Sequence, residues 1–165
     1  MEYNKKTKTL TIPYYFDEEL KNIPEETEII IFNQNYNKNE YSKFNQLVDN
    51  LPKNITHLTF GCYFNESINK LPKKLTHLKF GWNFENNIII PQTVKELSLT
   101  CNNNLINNIP NFIEKLYIYF YYDKSYNKKV ENLPFTLKEI IIEDEEHKEY
   151  IKIPFGTMLT IQKIE

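Results

Sequence analysis

Apolar residues in this chain come in pairs two positions apart, and the pairs return at a near-regular interval. Leu58 and Phe60 are followed by Leu78 and Phe80, Leu97 and Leu99, Leu116 and Ile118, and Ile140 and Ile142. Upstream, Leu10 with Ile12 and Ile30 with Phe32 have the same form. A spacing of two puts both side chains on one face of a strand, with the residue between them facing outward. Each pair therefore predicts a strand of four to five residues, and their recurrence predicts a repeat architecture.

Seven prolines act as a ruler for the repeat. Pro24, Pro52, Pro72, Pro91, Pro110, Pro134 and Pro154 each follow a Leu or Ile, with spacings of 28, 20, 19, 19, 24 and 20 residues. Three positions after a proline comes an apolar residue (Ile55, Leu75, Val94, Ile113, Leu137), and the strand pair sits six and eight positions after it. Counting back from the next proline, Phe16, Phe44, Phe64, Asn102 and Tyr126 stand at minus eight, and Leu20, Val48, Ile68, Ile106, Val130 and Tyr150 at minus four. Phe84 and Ile88 hold the same roles one residue closer to Pro91. The slot after the aromatic is Asp17, Asn45, Asn65, Asn103 or Asn127, a short side chain able to accept a backbone N–H and cap a turn.

With both landmarks set, the long units resolve into insertions at one place, just after the strand. One lies between Phe32 and Phe44, the other between Ile118 and Tyr126. A return of about a dozen residues leaves room for an extended run or a single turn, not a crossover helix. Asp17 to Asn22 is the best candidate for a helix and Ser42 to Asp49 the second. Leu159-Thr160-Ile161 reads as a closing strand one residue out of step.

One such unit cannot bury its apolar face alone, but stacked units share a core beneath a parallel sheet. The expectation is one domain over 1–165: an N-terminal cap to about 23, repeats over about 24–152, and a C-terminal cap over 153–165. It is a gently curved solenoid of about seven to eight short strands, the strands on its concave side, with little helix.

These units resemble the FNIP repeats of social amoebae and of large DNA viruses of amoebae. The family pattern, Ile/Leu-Pro, then x-Leu-x-Phe-Gly, then Phe-Asn-x-x-Ile, is nearly intact from Leu51 to Ile68 and from Leu71 to Ile88. The units at Pro91, Pro110 and Pro134 lose the Gly and the Phe-Asn pair. The resemblance spans roughly residues 10 to 161. It implies a leucine-rich-repeat-like fold and a protein-binding role. Many family members carry an N-terminal F-box that recruits a ubiquitin ligase. Here the repeats begin about ten residues in, so none is expected.

Composition narrows the function classes. The net charge of -2 does not draw the chain to nucleic acid or to an anionic membrane. No apolar run approaches the ~20 residues of a membrane span, and no signal-peptide core follows Met1. Cys62 and Cys101 are too few for a disulfide framework, which suits a cytoplasmic setting, the host cytoplasm for a viral protein. Asn, Lys, Ile and Tyr dominate while Ala and Arg are absent, the mark of A/T-rich codons. The tyrosine count is therefore weak evidence of design, and the proline ruler strong evidence.

Outward strand positions form two rows. The first is Thr9, Ile29, His57, His77, Glu96, Lys115 and Glu139, and the second Thr11, Ile31, Thr59, Lys79, Ser98, Tyr117 and Ile141. The rows are mixed in sign, with no charge stripe. His57 and His77 fall on neighbouring rungs, close enough to be coupled in pH, but two histidines make an incomplete metal site. Neither a phosphate loop nor a nucleophile elbow is present, and Asp144-Glu145-Glu146 reads as a solvated run. No enzyme activity and no cofactor are expected.

The insertions are the better candidates for binding. The first, 33–43, is polar; the second, 119–125, is densely aromatic. Aromatic clusters serve as interface anchors or stacking platforms, or simply pack as core. The candidate surface is His57, His77, Lys79, Glu96, Lys115, Tyr117, Tyr119, Tyr121, Tyr122 and Tyr126. Protein binding by a monomer is the leading expectation. Self-assembly of an uncapped sheet, and carbohydrate or single-stranded nucleic acid binding at the Tyr-rich edge, are the alternatives.

Overall fold

In the computed structural model, which describes residues 1–162, every ruler proline opens a tight turn. The last three residues of the expected C-terminal cap, 163–165, lie outside the described residues. The proline carbonyl accepts the N–H three positions on, from Thr27, Ile55, Leu75, Val94, Ile113, Leu137 and Thr157, at 3.0–3.4 Å. Proline has no donor to waste there, and its fixed φ pre-sets the entry. The turn drives Ile55, Leu75, Val94 and Ile113 fully into the core.

Nine strands follow in sequence order across one sheet: β1 Glu2–Asn4, β2 Thr9–Ile12, β3 Ile29–Phe32, β4 His57–Thr59, β5 His77–Lys79, β6 Glu96–Thr100, β7 Lys115–Tyr119, β8 Glu139–Ile142 and β9 Met158–Ile161. From β2 to β9 every pairing is parallel. Leu10, Ile30, Leu58, Leu78, Leu97, Leu116, Ile140 and Leu159 lie side by side in one column. This is a leucine-rich-repeat-like solenoid with little helix.

Two details depart from expectation. The ninth strand is β1, which folds back antiparallel on β2 and pairs Glu2 with Thr11. Asn4 Oδ1 accepts the N–H groups of Lys6 and Thr7 to make that turn, and Lys8 closes it at φ 52°. β9 keeps its one-residue offset from the proline ruler yet pairs in column: Leu159 faces Ile140 and Ile161 faces Ile142. Its unit has one residue fewer between turn and strand, so the strand starts directly after Thr157.

The core is built in columns. Phe32, Phe60 and Phe80 stack at 5.7 and 5.5 Å beneath the sheet. Phe16, Phe44, Phe64 and Phe84 stack beside them at 6.4, 6.1 and 5.9 Å, and Phe60–Phe64 and Phe80–Phe84 close to 3.9 Å across the two columns. Six of the seven rings are no more than 1% exposed, Phe16 being half-buried. Identical flat side chains on successive rungs repeat the same contact, so each unit stabilises the next.

The Asx slot works between rungs rather than within one. Asp17 Oδ1 accepts the N–H of Asn45 at 2.8 Å, Asn45 Oδ1 that of Asn65 at 2.7 Å, and Asn65 Oδ1 that of Glu85 at 3.0 Å. This ladder explains why neither Asp17–Asn22 nor Ser42–Asp49 is helical: their backbones are engaged sideways, and Asn22 sits at φ 56°. Helical turns occur instead as short 3-10 segments at Tyr36–Lys38, Asn104–Asn108, Lys124–Tyr126 and Glu145–Tyr150. In the second of these Asn103, 2% exposed, does both jobs. It caps Leu105 N–H at 2.9 Å and donates to the Phe84 carbonyl at 2.6 Å.

Strand length follows the ninth position after the proline. Where it is Gly61 or Gly81, β4 and β5 end after three residues. A Cβ on Gly81 would lie 2.1 Å from the Gly61 carbonyl oxygen, so the corners nest backbone on backbone. Where Thr100 and Tyr119 replace glycine, β6 and β7 run on to five residues.

Candidate functional site

The outward sheet face is concave. Lys79 of β5, Tyr117 of β7, Ile141 of β8 and Gln162 beyond β9 line one small pocket. Four strand spacings on a flat sheet would hold the outermost of these roughly 19 Å apart. His57, Thr59, His77, Lys79, Glu96, Lys115, Tyr117 and Glu139 are half-exposed along the face. Ser98 and Ile141, expected outward, are 8% and 4% exposed. Ser98 lies in register between the longer Lys79 and Tyr117, and Ile141 beside Tyr117.

The mixed first row pairs off along itself. His77 Nε2 lies 3.2 Å from Glu96 Oε1, Lys115 Nζ 3.2 Å from Glu139 Oε2, and Glu139 Oε1 accepts the Thr160 hydroxyl at 2.6 Å. The Thr160 hydroxyl, then Lys115, hold the Glu139 carboxyl below the usual range. Lys115 and Glu139 are thus neutralised in place, and with both signs interleaved along the row little field remains for long-range steering.

The histidines stack at 3.9 Å with rings 13° apart. The Thr56 hydroxyl donates to the Glu28 carbonyl at 3.1 Å and the Thr76 hydroxyl to the Thr56 carbonyl at 3.0 Å. Each hydroxyl has one hydrogen, so its lone pair faces the adjacent His Nδ1 at 2.8 Å, and Nδ1 is the protonated nitrogen. In the neutral rings Nε2 therefore carries the lone pair, that of His77 lying beside Glu96. The Glu96 contact becomes a hydrogen bond only when His77 carries both protons, because a carboxylate only accepts. Burial, then the neighbouring His77, push the His57 pKa below the usual imidazole value. Among the described residues no three His, Cys, Asp or Glu side chains are grouped to hold a metal ion.

At the C-terminal ends of the strands the two insertions stand apart with the low Gly61 and Gly81 corners between them. In the first, Asn35 and Glu40 exchange backbone bonds at 2.7 and 3.0 Å around the Tyr36–Lys38 turn. In the second, Asn127 bonds Tyr121 reciprocally, accepting its N–H at 2.7 Å and donating to its carbonyl at 3.0 Å. Asp123 caps the turn through Ser125, and Lys124 reaches Glu146 on the next unit at 2.6 Å. Both insertions are therefore held by their own hydrogen bonds.

Between them lies a cleft of about 660 Å³. The first insertion contributes Gln34, Asn35, Asn37 and Tyr41; the other side presents Trp82, Tyr119 and Tyr122, with Lys79 and Glu143 also in the lining. The Lys79 ammonium lies 4.8 Å from the Tyr119 ring centroid. Burial raises the Glu143 carboxyl, an effect Lys79 partly offsets. Among the described residues neither Lys79 nor Glu143 has an ion-pair partner within 4.0 Å.

Comparison with known proteins matches the FNIP Repeat model at residues 44–81 and 67–101, the units with the intact glycine corners. The chain is an FNIP, leucine-rich-repeat-like repeat protein. The solved structure of CroV588, a novel circular LRR protein from a giant virus, is similar at 30% identity and a TM-score of 0.58. The match covers 81% of this chain and 23% of that one, so the FNIP protein spans under a quarter of its structural relative. No curated protein matches.

In the FNIP protein the candidate residues divide into three groups. His57, His77, Lys79, Glu96, Lys115 and Tyr117 share the concave face. Tyr119 is 9% exposed and Tyr121 half-buried against Trp82 at 4.9 Å, so these two pack as much as they present. Tyr122, fully exposed, and Tyr126, 62% exposed, stand at the edge. The aromatic column expected through Asn102 and Tyr126 stops at Phe84, because Asn103 fills the next place and Tyr126 turns out to solvent. Trp82 and Glu143 were not anticipated, and Gln34 only as part of the polar 33–43 insertion. The signal for Glu143 was present: it occupies the ninth position after Pro134, the column of Gly61, Gly81, Thr100 and Tyr119, which faces the insertion edge.

Proposed function

We propose that this FNIP-type protein is an interaction scaffold that holds a protein partner on its concave sheet face and the adjoining insertion edge. The observation that carries the reading is the in-register face itself, half-exposed at His57, His77, Glu96, Lys115 and Glu139, with Lys115 and Glu139 already paired. A partner meeting such a face is recognised by shape and by short polar contacts, with Tyr117 and Ile31 as apolar footholds. No cofactor or catalytic step belongs to this reading. The compartment proposed is the cytoplasm; no helix among the described residues is long and apolar enough to cross a membrane.

A photo-crosslinking amino acid at Thr59 or Tyr117, with Lys70 on the return side as control, tests it in extract of the source cells. One discrete protein captured from both face positions and not from Lys70 is the expected result. Capture that ignores the face, or no capture, overturns the reading.

Exposed Phe135, Phe155 and Met158 in the last two units, where β9 is the outermost strand among the described residues, favour a second reading, self-association. Light scattering over a concentration series decides it, and a constant monomer mass removes it.

A further inference from the structure

We infer that the cleft between the two insertions is a binding site for a neutral saccharide of one or two rings. The inference does not rest on the protein-binding reading of the sheet face. It begins with size: about 660 Å³ falls in the range of small-ligand sites, whereas protein epitopes are flatter and larger. The lining then selects the ligand. Trp82 and Tyr122 supply aromatic surface against which the C–H faces of a sugar ring stack, while the Tyr119 ring is covered by Lys79. Asn35 and Asn37 offer side-chain amides, each with donors and an acceptor in one plane, the arrangement that vicinal hydroxyls require.

Charge excludes the competing classes. The lining holds one cation, Lys79, and one carboxylate, Glu143, and no other charged side chain. A phosphorylated or polyanionic ligand meets Glu143 with a single lysine to compensate. A cationic ligand meets Lys79, which already occupies the Tyr119 ring at 4.8 Å. A neutral hydroxyl-rich ligand uses both groups, donating to Glu143 and accepting from Lys79, at no cost in net charge. The walls are also pre-organised, since the bonds within each insertion hold their positions before a ligand arrives.

The chain has a single tryptophan, and it lines this cleft. Trp82 emission therefore reports occupancy. The full chain is titrated into the millimolar range with maltose, cellobiose, lactose and N,N′-diacetylchitobiose, with ligand-observed NMR alongside. The expected result is a saturable change with at least one disaccharide. Tyr122→Ala and Asn37→Ala, both at exposed positions, should each weaken binding about tenfold, the scale of one lost stack or hydrogen-bond set. Tyr126→Ala, next to the same insertion but outside the cleft, should leave binding unchanged. Circular dichroism confirms that the variants keep the fold. No saturable response to any of the four sugars overturns the inference. So does a response that both cleft variants leave intact, and so does cleft binding confined to a sugar phosphate, a cation or a peptide.

Discussion

Replacing Gly81 with alanine places a methyl carbon 2.1 Å from the Gly61 carbonyl oxygen, 2.5 Å from its carbon and 2.8 Å from Cys62 Cα. A carbon and a carbonyl oxygen rest at roughly 3.3 Å, so the two rungs must part by about 1 Å. The bonds Phe60 N–H to Lys79 O at 2.9 Å and Asn83 N–H to Cys62 O at 3.1 Å flank this point and do not survive such a stretch. Overpacking costs about 1–3 kcal/mol and each hydrogen bond about 0.5–1.5 kcal/mol. We expect roughly 3–4 kcal/mol of lost stability, read as a lower urea midpoint at constant slope by circular dichroism. Gly61→Ala meets a different obstacle, the Ser42 side chain, with Cβ at 2.1 Å and Oγ at 2.4 Å. That obstacle can be removed. Ser42→Gly leaves nothing nearer than Ser42 Cα at 3.4 Å and deletes a buried hydroxyl with no hydrogen-bond partner. The Gly61→Ala, Ser42→Gly double variant should therefore recover most of the loss, and the same Ser42→Gly change should do nothing for Gly81→Ala. A Gly81→Ala protein within about 0.5 kcal/mol of wild type, the scatter of an ordinary surface change, refutes the reasoning. Equal rescue of both variants refutes it too, since that would mean general loosening rather than a named contact.

Four further outcomes follow from the same geometry. Asn65→Ala removes the acceptor of Glu85 N–H and of Asn86 Nδ2, both at 3.0 Å, and should cost about 1–2 kcal/mol in the same unfolding assay. Phe64→Ala opens a cavity where two Phe columns meet and should cost about 3–5 kcal/mol, with the thermal midpoint as readout. The folded His57 pKa is depressed, so the unfolded chain binds the extra proton first. Stability contributed by His57 is therefore present above the ordinary imidazole pKa and declines as pH falls through it; His77→Gln should raise the His57 titration midpoint seen by NMR. Glu143 is shifted the other way, its folded pKa above the unfolded value, so its contribution is full at acid pH and lost as pH rises through the folded pKa. Glu143→Gln should then be more stable than wild type at neutral pH and equal to it near pH 4, and destabilisation at pH 7 would count against a half-buried, unpaired carboxylate.

The repeat was legible because each rung places its residues in the same surroundings. Burial of Leu58, Leu78, Leu97 and Leu116 at 2% exposure or less follows from a column that a reader of the chain can write down. The inward residue three positions after each proline and the placing of both insertions after the strand are local or strictly periodic properties. The helix expectation at Ser42–Asp49 failed for an instructive reason. Phe44 and Val48 at a spacing of four fit a helical face and an extended return alike, and the choice is made by bonds to the rung below, from Asn45 and Gln46 to Asp17. β9 stays one residue off the proline count because its unit has one residue fewer between turn and strand, a loss that pairing with β8 tolerates.

Alternating burial, the proline ruler and the Asx slot are written in single units, so the chain by itself determined a parallel, in-register solenoid with a concave face. The cleft belongs to a different order of information. Asn37 and Tyr122 are 85 positions apart in the chain. They line one cleft because two insertions four rungs apart rise on the same edge of a curved sheet over glycine corners that stay low. Which tyrosines pack and which protrude was likewise decided by tertiary structure, through Trp82, Asn127 and the next unit's 3-10 turn. Composition could not separate Tyr121 from Tyr122, because adjacent residues at the end of a strand face opposite ways and only the neighbouring rung decides which side is filled.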